Sequence, residues 1–221
     1  MNLLFEDKHI IVCIKPAGIS SQERPDKKDM VNELKKHCEN QGDAQAQIFP
    51  VHRLDTATEG IMVYAKTKSA AAFLSNEITQ NNFQKEYLAI VHGIPEDKSA
   101  VLEDLLFKDT KKNKSYVVKR ERKGVKKASL TYTLIKTCIN ENKPYSLLRI
   151  RLHTGRTHQI RVQFASRKMP LLGDGKYGAA DNIPTLGLFS CSLSFTHPET
   201  KEKLTFTAHP ENKFPWQLFE S

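Results

Sequence analysis

Residues 128–153 read ASLTYTLIKTCINENKPYSLLRIRLH, and their patterning decides the fold class. Leu130, Tyr132 and Leu134 alternate with Thr131 and Thr133, the period of two that places apolar side chains on one face of a half-buried strand. A second β-rich run, Tyr145 to His153, follows after a short polar link. Working outward, strands are expected at His9 to Lys15, Gly60 to Lys66, Glu86 to His92, Ser115 to Lys119, Leu188 to Phe195 and Leu204 to His209. Helical spacing is scarcer. Met30, Leu34 and Cys38 predict a helix over Asp29 to Asn40 ended by Gly42, and Thr67 can cap another with Ala70, Phe73, Leu74 and Ile78 on one face. The run HIIVCIK stops at Pro16-Ala17-Gly18, a tight turn expected to deliver Lys15 to a surface. Asp174 to Thr185, rich in Gly, Ala and Pro, reads as a long loop. Many strands with few helices predict an α+β fold on a large mixed, mostly antiparallel sheet flanked by helices.

The 221 residues suffice for one sizeable core or two small lobes, so a single domain over 1–221 is expected. No apolar run approaches the ~20 residues that cross a bilayer, and MNLLFEDKHI resembles no targeting peptide, so a cytoplasmic protein with no membrane contact is expected. Cys13, Cys38, Cys138 and Cys191 lie far apart with no CxxC pair, which argues against a zinc site or a disulfide framework and predicts reduced, buried thiols. No HExxH spacing, GxGxxG fingerprint or GxxxxGK[ST] loop is present, so neither a metal nor a cofactor is expected.

Charge is concentrated. Of a net +9, the window Lys108 to Lys127 contributes +8, with ten Lys and Arg against Asp109 and Glu121. Such a cluster can hold a polyanion through counterion release. It also fits a solvated hairpin whose lysines discourage edge pairing.

Two polar clusters interrupt the apolar pattern. His52-Arg53-Leu54-Asp55-Thr56-Ala57-Thr58-Glu59-Gly60 precedes a strand, a common place for a site, although Asp55 alone also fits a turn cap with Arg53 as a surface ion-pair partner. Arg151 to Arg161, RLHTGRTHQIR, bends at Gly155 and opens a helix. Free N–H groups there, beside Arg156 and Arg161, suit a phosphate or a carboxylate, and an ordinary strand-turn-helix with exposed arginines fits as well.

Taken together, KPAGIS (Lys15 to Ser20), HRLDTATEG (His52 to Gly60), KEYLAIVHG (Lys85 to Gly93), RLHTGRTHQIRV (Arg151 to Val162), LLGDGKYG (Leu171 to Gly178) and LSFTHPETKEKLTFTAHP (Leu193 to Pro210) resemble the ordered motifs of RluA-type RNA pseudouridine synthases. The resemblance spans nearly the whole chain. It implies a pseudouridine-synthase-like catalytic domain without an N-terminal S4 domain, carrying a basic insertion or hairpin near 108–127. It implies that Asp55 is the nucleophile, Tyr87 the aromatic residue facing a flipped base, and Arg161 the cation paired with Asp55. RNA contacts are expected from His52, Arg53, Thr56, Arg156 and Gln159, and from Lys111, Lys112, Lys114, Lys119, Arg120 and Arg122. The expected partner is structured RNA, ribosomal or transfer, with no obligate protein partner. The chain departs from the family pattern at Glu59, Gln163 and Phe189-Ser190.

Two rival readings are distinguishable. A non-catalytic RNA-binding protein would share the basic window but has no need of Asp55, Tyr87 and Arg161 together. A hydrolase of a free nucleoside, using Asp55 with Glu59 as paired carboxylates, has little use for the +8 window.

Overall fold

The computed structural model describes residues 1–181 and 183–219. Its elements in chain order are β1 (Asn2–Glu6), β2 (Ile10–Lys15), α1 (Met30–Asn40), β3 (Phe49–Pro50), β4 (Glu59–Ala65), α2 (Lys68–Thr79), β5 (Gln84–His92), β6 (Ser99–Asp109), β7 (Lys114–Val118), β8 (Val125–Asn140), β9 (Lys143–Leu152), α3 (Gln159–Ser166), β10 (Leu188–Thr196) and β11 (Lys203–Thr207). The fold is α+β, rich in antiparallel sheet, as the alternation in 128–153 predicts. The chain forms two compact units, residues 1–85 with 190–209 and residues 86–189 with 210–221.

In the first unit β2 pairs antiparallel with both β1 and β4, and β11 pairs with β10. Ile10 and Val12 of β2 and Ile61, Val63 and Ala65 of β4 share one face, which buries Ala70 and Leu74 of α2 together with Phe83, Leu193 and Phe195. Ile11, Cys13, Met62 and Tyr64 occupy the opposite face and are fully buried too, which is why these strands read as continuous apolar runs rather than alternating ones. Both helices start where a side chain satisfies an orphan N–H: Asp29 accepts from Asn32 at 2.9 Å, and Thr67 from Ala70 at 3.1 Å.

In the second unit the strand order is β5-β9-β8-β6-β7, antiparallel throughout. Val162 of α3 lies against Leu106 and Ala128 on one face of this sheet. β6, which is absent from the strands expected from the sequence, sits between β8 and β7. The expected loop over 174–185 is irregular apart from a single 3-10 turn at Gly175–Tyr177, with Asn182 outside the described residues. Cys13, Cys38 and Cys191 are buried as expected, whereas Cys138 in β8 is half-buried.

Candidate active site

In the first unit, residues 51–58 link β3 to β4 and carry Asp55. This loop is fastened by the turn after β2. The N–H of Gly18 donates to the Thr56 carbonyl at 2.8 Å, and the Ser21 hydroxyl donates to the Leu54 carbonyl at 3.0 Å. Thr58 N–H closes on the Asp55 carbonyl at 3.0 Å. The backbone on both sides of Asp55 is therefore fixed, while its side chain is half-buried and those of Arg53 and Thr56 are exposed.

Lys15 corrects the expectation of a surface lysine: it is fully buried. Its Nζ donates to the carbonyls of Pro16 at 2.7 Å, Ile19 at 2.9 Å and Thr56 at 3.3 Å, so three donors meet three acceptors without water. Burial pulls its pKa down to about 8, against the opposing pull of the Asp55 and Glu59 carboxylates. A buried ammonium thus holds the Asp55 loop by its backbone and interacts with the carboxylates of Asp55 and Glu59.

His52 fixes the other flank. Its Nε2 accepts the Val63 N–H at 3.1 Å, which leaves Nδ1 to carry the ring proton, and its ring lies 5.3 Å from that of Phe83. Burial, with the charge of Lys85, drives its pKa far down, so the ring stays neutral.

In the second unit Tyr87 lies in β5, buried and opposite Ile150 of β9. The turn before α3 is stitched by Gln159. Its Oε1 accepts from the Thr154 hydroxyl at 2.7 Å and from Arg156 N–H at 3.0 Å, and its Nε2 donates to the Ser129 carbonyl at 3.0 Å. Gln159 is accordingly buried, whereas Arg156 is exposed and donates through Nε to the Lys127 carbonyl at 2.9 Å.

Arg161 has a partner that sequence reasoning missed. Its Nε and Nη2 donate to the two carboxylate oxygens of Asp174 at 2.7 and 2.8 Å, a bidentate pair whose acidic member is wholly buried. The only signal in the sequence is that Asp174 falls inside LLGDGKYG. Two departures from the family pattern are also explained. Gln163 is fully buried and donates to the Leu102 carbonyl and to Asp104, and Ser190 is fully buried and donates to the Ile61 carbonyl, so both are internal ties.

The basic window is a hairpin. β6 and β7 pair from Leu105↔Val118 to Asp109↔Lys114, and an exposed stretch at 119–124 leads into β8. Lys111, Lys112, Lys119, Arg120 and Arg122 are exposed, and Lys114 is half-buried.

A family model described as RNA pseudouridylate synthase matches residues 9–166. The chain is 30% identical over 214 residues to the uncharacterized RNA pseudouridine synthase YlyB of Bacillus subtilis, covering 94% of the chain and 68% of that protein. It is 32% identical over 225 residues to ribosomal large subunit pseudouridine synthase D of Zymomonas mobilis, covering 94% of the chain and 68% of that protein. The structure of human RNA pseudouridylate synthase domain containing 1 superposes with a TM-score of 0.78 at 19% identity, over 97% of this chain and 85% of that one, and shares the fold.

Proposed function

The chain belongs to the RNA pseudouridylate synthase family, and from that premise we propose that it isomerises particular uridines in structured ribosomal or transfer RNA, flipping the base out and using Asp55 as nucleophile. Its enzyme class is that of an RNA pseudouridine synthase, an isomerase. The observation that carries the finer reading is the clamped loop of the first unit: a half-buried carboxylate whose backbone is fixed by Gly18, Ser21 and the buried Lys15.

Pseudouridine formation breaks the N1–C1′ bond, turns the uracil and rejoins it through C5. A carboxylate suits this because it can stabilise positive charge at C1′ or bond to it, as in glycoside hydrolysis. One carboxylate suffices, since the leaving uracil is recaptured rather than replaced by water. Extrusion of a stacked base costs a few kcal/mol, least in loops and bulges, which favours structured RNA with unpaired uridines. Within this proposal Tyr87 is the aromatic residue that faces the base and Arg161 the cation that keeps the nucleophile ionised. Arg53, Thr56 and Arg156 contact RNA directly, and His52 and Gln159 serve it by holding the backbones that present those residues. The name of the Zymomonas relative, a ribosomal large subunit pseudouridine synthase, supports ribosomal RNA as the first substrate to test.

Asp55→Asn keeps the shape of the side chain and removes its charge. Tritium release from C5 of uridine in a large-subunit ribosomal RNA transcript, and in transfer RNA, is expected with wild type and absent in Asp55→Asn, with unfolding and RNA affinity unchanged. Full activity in the variant overturns the assignment, and free uracil as the main product points to a hydrolase.

A further inference from the structure

The charge of the basic hairpin suits it to hold RNA, and the proposed reaction gives Arg161 an electrostatic role; one residue connects the two. Tyr177, in the 3-10 turn that follows Asp174, touches both. Its hydroxyl accepts the N–H of Ser115 at 2.8 Å and lies 2.9 Å from Nδ1 of His158. Its ring has the Arg161 guanidinium 5.2 Å away and the Lys114 ammonium 5.1 Å away. Two ties run parallel to these: the Ser115 hydroxyl donates to the Thr157 carbonyl at 2.7 Å, and Lys176 Nζ donates to the Asn113 carbonyl at 2.8 Å.

The placement follows from the topology of the second unit. β7 ends the strand order, so its outward N–H groups lack a neighbouring strand. Tyr177 supplies the missing acceptor for Ser115, which makes the loop after Asp174 a cover for the hairpin's free edge. His158 is held in the left-handed region at φ 54° as the cap residue of α3, and Arg161 follows three residues later on the same helix. The backbone of His158 thus sets where α3 begins, and with it the base of the Arg161 side chain.

We propose that Tyr177 is a positioning residue that couples the RNA-holding hairpin to Arg161, its hydroxyl seating the hairpin edge and its ring steadying the guanidinium beside Asp174. This rests on the reading of the chain as an RNA-modifying enzyme and deepens it. The hydroxyl and the ring do separable work, so two substitutions separate them. Tyr177→Phe keeps the ring under both cations and removes the acceptor for Ser115. Tyr177→Leu removes the ring as well.

Hydrogen exchange of the Ser115 amide and steady-state tritium release from a large-subunit ribosomal RNA transcript are measured for wild type and both variants. In Tyr177→Phe the Ser115 amide is expected to exchange at least about tenfold faster, and KM to rise about three- to tenfold, the scale of one neutral hydrogen bond, with saturated turnover within about twofold of wild type. In Tyr177→Leu the rise in KM is joined by a fall in saturated turnover of about tenfold, as expected when a desolvated cation loses its aromatic neighbour. A merely structural tyrosine would lower the melting temperature in both variants without dividing KM from turnover between them. Wild-type exchange at Ser115 together with wild-type KM in Tyr177→Phe overturns the proposal, as does unchanged turnover in Tyr177→Leu. If wild type itself modifies no RNA, the reading of the reaction fails, while Ser115 exchange and filter binding of the transcript to Tyr177→Phe still decide whether the hairpin is tethered as described.

Discussion

Arg161 is held by a bidentate ion pair with Asp174, thirteen positions away along the chain and across a loop. The pair has a consequence for any test of catalysis. Asp174 is wholly buried, so Arg161→Met strands a carboxylate without its counter-charge, at a cost of ~3–5 kcal/mol. Replacing both, Arg161→Met with Asp174→Leu, removes the stranded charge and should recover most of that stability. Turnover should stay low in both if Arg161 is, as proposed, the cation that keeps Asp55 ionised. Urea unfolding and tritium release, measured on the single and the double variant, check the two halves. Recovery of turnover in the double variant would show that Arg161 matters only as a neutraliser of Asp174. At Gln163 a departure from the family motif is an internal tie from α3 to Leu102 and Asp104 of β6.

At the level of elements, the sequence discloses what local pattern alone determines. The strands β2 and β4 and the helices α1 and α2 are legible to within a residue or two, with Thr67 as the expected cap of α2, because apolar runs and cap residues act locally. β6 is not, and the cause is Asp104. It stands on the face shared with Leu102 and Leu106, toward α3, where Arg167 Nη1 and Gln163 Nε2 each meet it at 2.8 Å; a carboxylate at a core-facing position breaks the alternation that identifies a strand. β1 escapes notice for a related reason, since long-range ion pairs anchor its end. Glu6 receives Lys66 Nζ and His37 Nε2, each at 2.8 Å, and Asp7 accepts the N–H groups of His9 and Ile10 and lies 2.9 Å from His197 Nε2. Burial opposes ionisation of both carboxyls but is outweighed, for Glu6 by Lys66 and His37 and for Asp7 by the Ile10 and His9 N–H groups and His197, so both pKa values are lowered. A lowered carboxyl pKa gives stability that is fully present above the unfolded value near 4 and is lost as the pH falls through the folded value. Glu6→Gln and Asp7→Asn should therefore each cost ~1 kcal/mol at neutral pH, with the gap to wild type narrowing below about pH 4. Urea midpoints across that range check it; a gap that persists in acid would mean that shape, not charge, anchors β1.

Across the whole molecule, charge is the property most fully legible in the sequence, because it can be counted without knowing which residues meet. Nearly all of the +9 resides in 108–127, and the structure gives that excess a shape: a hairpin whose exposed cations include Lys111 and Lys112 at the tip and Lys119 and Arg120 beyond β7. What the sequence could not show is that two cations of the window lie over rings, Arg122 over Phe107 and Lys114 over two tyrosines. Lys114 lies over the rings of Tyr116 and Tyr177, so its removal would disturb the second unit's interior as well as its field. A clean test of the electrostatic role therefore leaves Lys114 in place. Lys111→Gln with Lys112→Gln, and separately Lys119→Gln with Arg120→Gln, should raise KM or Kd for the ribosomal RNA transcript and leave saturated turnover near wild type, since only binding common to ground and transition state is removed. If each pair meets two phosphates, the plot of log K against log salt should flatten by roughly 0.7 for each phosphate no longer neutralised on single-stranded RNA, and by more on duplex. A hairpin that never meets RNA would leave both affinity and slope at wild-type values. Reduced saturated turnover with an unchanged slope would be the more damaging result, because exposed side chains that alter chemistry without altering counterion release act by shaping the site, and the RNA would then have to follow a path away from the hairpin.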